Sequence, residues 1–311
     1  MYSNKIDHKR SSHASPDKQM MILERVSRLI MDFPANNQRL APAAQRMNIS
    51  SMEPSSSRKG SRRAFPKYRE TVLDIIRVSQ SVPSFPLVRT MQLGELSRVR
   101  TACSVRIAWS TLFARAYGII CKQTPELREL FVQYPYKQLY RHPHTVASLS
   151  VHRKDDAGNE RLIWGRINDP ESTPLIILQQ QLDSFRNAPI AEVYREGLML
   201  ERRSTLVRRF LWWCIANWSG RKRAKHIGTF SISSLAGHGA LNSHHPLITT
   251  SSLAFGPIGS NGECEVVLIC DHRTLDGVLG ARALKALELI LSRQMVEELL
   301  SLVPSMAKEA A

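Results

Sequence analysis

No stretch of this 311-residue chain reaches the roughly 18 consecutive apolar residues that a membrane-spanning helix requires. The first 34 residues are charged and hold no apolar core of the signal-peptide kind. The expectation is a soluble, cytoplasmic protein. Cysteine is scarce: Cys103, Cys121, Cys214, Cys264 and Cys270 are odd in number and form no C-x-x-C pair, which argues against a disulfide framework and against a zinc site. They read as reduced residues in or beside apolar segments. Acidic side chains are outnumbered, with 27 Asp+Glu against 43 Lys+Arg and a formal net charge of +16. Such a field attracts anions, whether cofactor phosphates, nucleic acid or an acidic membrane surface, and does not choose between them. Motifs for reading bases are absent.

What the chain does have is concentrated near its C-terminus. Val266-Val267-Leu268-Ile269-Cys270 is a continuous apolar run that reads as a buried strand, and it empties into the polar turn Asp271-His272-Arg273-Thr274-Leu275-Asp276-Gly277. From Val278 to Leu291 the apolar residues fall at helical spacing. The motif is a strand, a polar turn and a helix, with His272 held at the strand's end. Read alone, His272 fits a structural turn histidine, Asp276 the N-cap of the helix that follows, and Ser233, farther upstream, a strand hydroxyl bonded to backbone.

The pattern Asp271-His272-Arg273-x-x-Asp276-Gly277 resembles the active-site signature of the dihydrolipoyl acyltransferase catalytic domain, the acyl-transfer component of 2-oxoacid dehydrogenase complexes. Upstream, Gly228-Thr229-Phe230-Ser231-Ile232-Ser233-Ser234-Leu235 looks like that family's Gly-Thr-Phe-Thr-Ile-Ser-Asn/Ser-Leu strand, and Tyr68 to Pro83 looks like its opening helix and proline turn. The resemblance covers residues 65–303 and is weakest in the middle. It implies an α/β mixed-sheet sandwich of the coenzyme A-dependent acyltransferase (chloramphenicol acetyltransferase-like) type. It further implies His272 as general base and Ser233 as the hydroxyl that stabilises the tetrahedral oxyanion, reaching the histidine across a subunit boundary. Asp276 would pair with an arginine to hold the turn, and Arg69 lies near where that arginine is expected. The implied substrate is a coenzyme A thioester or a lipoyl thioester on a separate carrier protein, with no metal. The implied assembly is a trimer or a multiple of trimers. A non-catalytic trimeric scaffold of the same fold is the alternative. Residues 1–64 resemble neither lipoyl domains nor a subunit-binding domain nor Ala/Pro-rich linkers, so a stand-alone relative of the catalytic domain is expected.

Three regions are expected: a basic, mostly disordered extension over 1–64, the acyltransferase-like domain over 65–303, and a tail over 304–311. Within the extension, Met20 to Met31 is amphipathic for about three turns, and Ser50 to Arg63 reads as a linker. A basic arm for nucleic acid or a docking helix are the functional alternatives. In the domain, helices are expected over Tyr68–Val78, from Leu96 and over Val105–Cys121, and a strand over Phe85–Leu93. His144–Val151 and Arg161–Ile167 read as a hairpin, and Thr173-Pro174 as a hydroxyl cap and helix start leading Leu175 to Phe185. The segment Leu206–Arg223 has the composition of an interfacial helix, rich in Trp and Arg. Either it meets a membrane or partner surface, or its aromatics fill the core or a subunit contact while the arginines stay in water. His238, His244 and His245 share one loop, but no carboxylate or cysteine completes a metal-ligand set.

Overall fold

The computed structural model describes residues 60–302. The expectations placed on residues 1–59 and on the tail 304–311 lie outside the described residues. Among those described, no helix is long and apolar enough to cross a membrane.

A single turn of 3-10 helix, Lys67–Arg69, leads into α1 (Glu70–Ser79). Strand β1 (Ser84–Gln92), α2 (Gly94–Ala102) and α3 (Trp109–Gln123) follow, then the short strands β2 (Glu129–Val132) and β3 (Gln138–Arg141), which pair only with each other. The expected hairpin forms as β4 (Val146–Lys154) and β5 (Glu160–Asn168), antiparallel in register from Val146↔Asn168 to Lys154↔Glu160. Five helices come next: α4 (Leu175–Asn187), α5 (Ile190–Val193), α6 (Arg195–Glu201), α7 (Thr205–Asn217) and α8 (Gly220–His226). The chain closes with β6 (Phe230–Ser234), β7 (Ser251–Ile258), β8 (Glu263–Asp271), α9 (Gly277–Ser292) and α10 (Gln294–Leu300).

Six strands make one mixed sheet in the order β1-β8-β7-β6-β4-β5, with β6 parallel to both β4 and β7 and the remaining pairs antiparallel. The α/β mixed-sheet architecture is therefore as expected. Strand β8 explains its own continuous apolar run. Cys264, Val266, Leu268 and Cys270 face the main core under α3 and α9, while Val267 and Ile269 face a second cluster with Val82, Leu247 and Ala254. With apolar neighbours on both faces, alternation has no reason to appear.

Helix α3 is the buried centre of the main core. Its Phe113 stacks on Phe255 with ring centroids 4.2 Å apart, and Tyr117 meets the edge of Phe230 at 5.0 Å. Each such fully buried aromatic contributes on the order of 2–3 kcal/mol by apolar burial. The helix starts at Trp109, not at Val105 as its apolar content suggested. Ala108 is extended, and the first turn is satisfied by a distant side chain: Gln179 Oε1 accepts from Ala108 N at 2.7 Å and from Thr111 Oγ1 at 2.8 Å. Thr173 does not cap α4 as anticipated. Its hydroxyl donates to the Asp169 carbonyl at 3.0 Å, Pro174 occupies the cap position, and the helix begins at Leu175.

The segment 206–223 departs furthest from expectation. It is two helices, broken at Trp218-Ser219, with the Ser219 hydroxyl accepting from Lys222 N at 3.3 Å to start the second. Its polarity is partly inverted. Arg208 is only 3% exposed and lies against Asp74 and Glu70 of α1, whereas Phe210 and Trp218 are 61% and 58% exposed. Two carboxylates offset the cost of burying the guanidinium. Phe210, Trp218 and Tyr134 each pack their rings against Trp213 at the surface.

Candidate functional site

The turn after β8 is held from three sides. His272 N donates to the Pro83 carbonyl at 2.8 Å, Asp271 N to Thr250 O at 3.0 Å, and Leu275 N back to Asp271 O at 3.0 Å. Asp271 is buried, and Arg273 grips its carboxylate through both guanidinium edges, Nε to Oδ1 at 2.9 Å and Nη2 to Oδ2 at 2.7 Å, while lying over the Phe131 ring. Within this chain Arg273 is thus the arginine that stiffens the turn. Asp276 instead caps α9, its Oδ1 accepting from Leu279 N at 2.8 Å, and Arg69 stands exposed on the 3-10 turn.

His272 itself is exposed, with its ring against Phe85 at 4.6 Å between centroids. Its Nδ1 lies 3.2 Å from the Leu275 carbonyl. A carbonyl can only accept, so Nδ1 carries the proton of the neutral ring and Nε2 keeps a free lone pair. That is the protonation pattern of a general base.

The second motif resolves residue by residue. Gly228 has φ +111°, a conformation that side chains rarely adopt. Thr229 Oγ1 accepts from Val146 N at 2.9 Å and donates to Val146 O at 3.2 Å, tying β6 to the start of β4. Phe230 and Ile232 enter the main core. Ser231 and Ser233 therefore point to the opposite face of the sheet. Ser233 is partly exposed and makes no side-chain hydrogen bond among the described residues.

Ser233 and His272 do not meet in one chain. Ser233 pairs with Ala254, which pairs with Val267, two strands away and five positions before His272 (267 to 272). At about 3.3 Å per residue and 4.8 Å per strand, the two side chains stand on the order of 20 Å apart.

One feature of this face gave no signal in the sequence. Ser231 Oγ donates to Ser252 Oγ at 2.7 Å, and Ser252 Oγ lies 2.6 Å from His245 Nε2. Burial pushes the His245 ring below the usual histidine range, which keeps it neutral. So the loop histidine completes a hydroxyl chain, while His238 and His244 are exposed. Among the described residues no group of three or more His, Cys, Asp or Glu could hold a metal ion. Cys121, Cys264 and Cys270 are buried, and burial raises all three thiols, the last to about 12, which removes them as nucleophiles at neutral pH.

Beside the C-terminal end of β6 opens a cleft of about 770 Å³ bordered by Ser234, Ser150, Trp109, Arg100, Arg106 and Arg186. Arg100 lies over the Trp109 ring at 5.1 Å. Partial burial, and secondarily the neighbouring Arg106, lower its pKa.

No protein-family model and no curated protein sequence matches the chain. Solved structures do match its fold. A probable dihydrolipoamide acetyltransferase from Listeria monocytogenes superposes with a TM-score of 0.56 at 17% identity over 78% of this chain and 97% of that chain. The dihydrolipoamide acetyltransferase of Azotobacter vinelandii gives 0.55 at 17% over 79% and 98%. A truncated catalytic core of the 2-oxoacid dehydrogenase multienzyme complex of Thermoplasma acidophilum gives 0.55 at 15% over 76% and 99%. This chain has the fold of the dihydrolipoamide acetyltransferase catalytic core.

Proposed function

We propose that the protein is an acyltransferase that takes an acyl group from a thioester, with His272 as the general base and Ser233 of a neighbouring copy as the oxyanion donor. The observation that carries the reading is the His272 Nδ1 to Leu275 carbonyl contact at 3.2 Å, which leaves Nε2 as an outward lone pair on a clamped turn. Nε2 removes the proton from the acceptor as its sulfur, oxygen or nitrogen attacks the thioester carbonyl. The tetrahedral oxyanion takes a hydrogen bond from Ser233. Collapse expels the donor thiolate, which receives the proton from His272.

The separation of His272 from Ser233 supports a homo-oligomer, a trimer or multiple of trimers, in which the exposed base of one copy is covered by the Ser233 face of the next. A formal charge of +16 favours coenzyme A as donor, since its phosphates need cationic partners. A lipoyl thioester on a carrier protein is the second donor that the same chemistry would accept. In the Azotobacter enzyme a serine, a histidine and an asparagine were probed for their role in the catalytic mechanism, the last two four positions apart; His272 and Asp276 have the same spacing.

The test is thiol release from acetyl- and longer acyl-coenzyme A with free dihydrolipoamide or an amine as acceptor, comparing wild type with His272→Ala. Turnover that falls by orders of magnitude in a variant of unchanged oligomeric state establishes base and reaction class. Equal release by both proteins removes His272 as the base, and none by either across several donors assigns the chain to a non-catalytic scaffold instead.

A further inference from the structure

The outer surface of α7 takes no part in the acyl-transfer reading, and its charge has one sign. From Arg202 to Lys222 the chain holds no aspartate or glutamate, while Arg202, Arg203, Arg209, Arg221 and Lys222 are exposed. Leu206, Phe210 and Trp213 follow one another at helical spacing, so they form one stripe along the helix. Leu206 is 80% exposed, and so is much of Tyr136, at 68%, on the loop between β2 and β3 that also brings Tyr134 against Trp213.

Side chains this exposed stand proud of the surface. A rigid protein partner would need a hollow matching each of them, whereas the headgroup boundary of a bilayer yields to whatever projects into it. Trp and Tyr rings are the side chains that settle at that boundary. A leucine at the end of the stripe offers no face for a nucleic-acid base to stack on, but it enters acyl chains readily.

Cations stand beside the rings. Arg77 of α1 and Arg209 of α7, both exposed, border with Trp213 and Asn217 a hollow of about 240 Å³. Asp74 is the one acid in its lining, and it is buried and engaged by Arg208, with Arg209 Nε no nearer than 3.9 Å. Arg77 has no carboxylate partner among the described residues. Two guanidinium groups on one hollow call for an outside anion, and a lipid phosphate is one. Two copies joined through this face would set like charges against like.

We propose that α7 and the β2–β3 loop form a docking surface for the anionic face of a phospholipid bilayer. Leu206, Phe210, Trp213 and Trp218 enter the boundary between headgroups and acyl chains, and Arg77 and Arg209 hold lipid phosphates. The helix lies on the bilayer, since its 13 residues are too few to span one. The surface includes neither His272 nor Ser233 and does not depend on the acyl-transfer reading.

The test is sedimentation of the full-length protein with vesicles of phosphatidylcholine alone and with vesicles containing about 30% phosphatidylserine, whose negative surface attracts Lys and Arg. The anionic vesicles bind about tenfold more tightly or better. Phe210→Ser with Trp218→Ser weakens that binding about tenfold, because both rings lose their burial in the boundary. Arg77→Gln with Arg209→Gln weakens it by a similar factor and flattens its salt dependence. All four side chains are exposed, so these changes spare the fold. Brominated lipid quenches the tryptophan emission of wild type, and Trp213→Phe with Trp218→Phe removes most of that quenching. Absence of binding to anionic vesicles overturns the proposal. So does binding that the arginine variant weakens and the Phe210→Ser, Trp218→Ser variant does not, which is charge attraction without insertion. Loss of the oligomer in that aromatic variant, seen by light scattering while wild type ignores vesicles, overturns it in favour of a subunit contact.

Discussion

Ser233 lies two strands from His272, on the order of 20 Å away by strand register, so one chain cannot bring the oxyanion donor to the base. If the site is shared between copies, two inactive variants complement each other. His272→Ala and Ser233→Ala, each depressed alone, the serine variant by ~10²–10³ in kcat, recover about a quarter of wild-type turnover when unfolded and refolded together one to one, because random assembly rebuilds that share of sites. Recovery is read as thiol release per chain after mixing. No recovery places both groups in one chain's site or in none.

Asp276 separates capping from proton handling. Asn caps a helix as well as Asp does, so Asp276→Asn keeps the melting temperature within a degree or two, while Asp276→Ala costs about 1 kcal/mol. Turnover follows the same order if the carboxylate's work is to hold the turn. A large loss in the Asn variant at unchanged stability assigns its charge a role in the reaction.

The ion network between α1 and α7 makes a stability prediction. Removing Arg208 strands the buried Asp74 carboxylate, and Arg208→Ala costs about 3–5 kcal/mol in urea unfolding. The double variant Arg208→Met with Asp74→Leu costs markedly less than the sum of its parts, as a double-mutant cycle would show.

His245 makes a pH prediction. Burial lowers its pKa in the folded chain, so the unfolded chain binds a proton first as pH falls below ~6.5, the ordinary histidine value. The ring's contribution is therefore fully present above that pH and is lost as pH drops toward the folded pKa. His142, lowered chiefly by burial, acts in the same direction. His245→Gln flattens the fall in unfolding free energy between pH 7 and pH 5 by up to ~1.4 kcal/mol per pH unit. An unchanged slope would show that His245 is as solvated as any free histidine.

Much of this fold was legible because its signals are local. The β4–β5 hairpin announces itself through alternation on either side of a Gly-containing turn, and Asp276 can be read as a cap because the helix it serves follows at once. Interactions between distant positions left no such trace. Gln179 sets where α3 starts from some seventy positions away, and Arg208 is buried because Asp74 waits on another helix. The hydroxyl chain from Ser231 through Ser252 to His245 exists only once β6 and β7 pair. The candidate site was half legible: the turn and the strand carry their own patterns, but the gap between them is a property of the sheet.

Strand β8 is paired on both edges and packed on both faces, and the turn after it is pinned through His272 N and Asp271 N. Those two amide hydrogens should exchange with solvent only when the whole domain opens, although the imidazole beside them is exposed. The ring is thus presented on a peptide that is already immobile. The entropy of ordering the base is settled during folding, and an incoming partner or substrate meets a group whose backbone has no freedom left to lose.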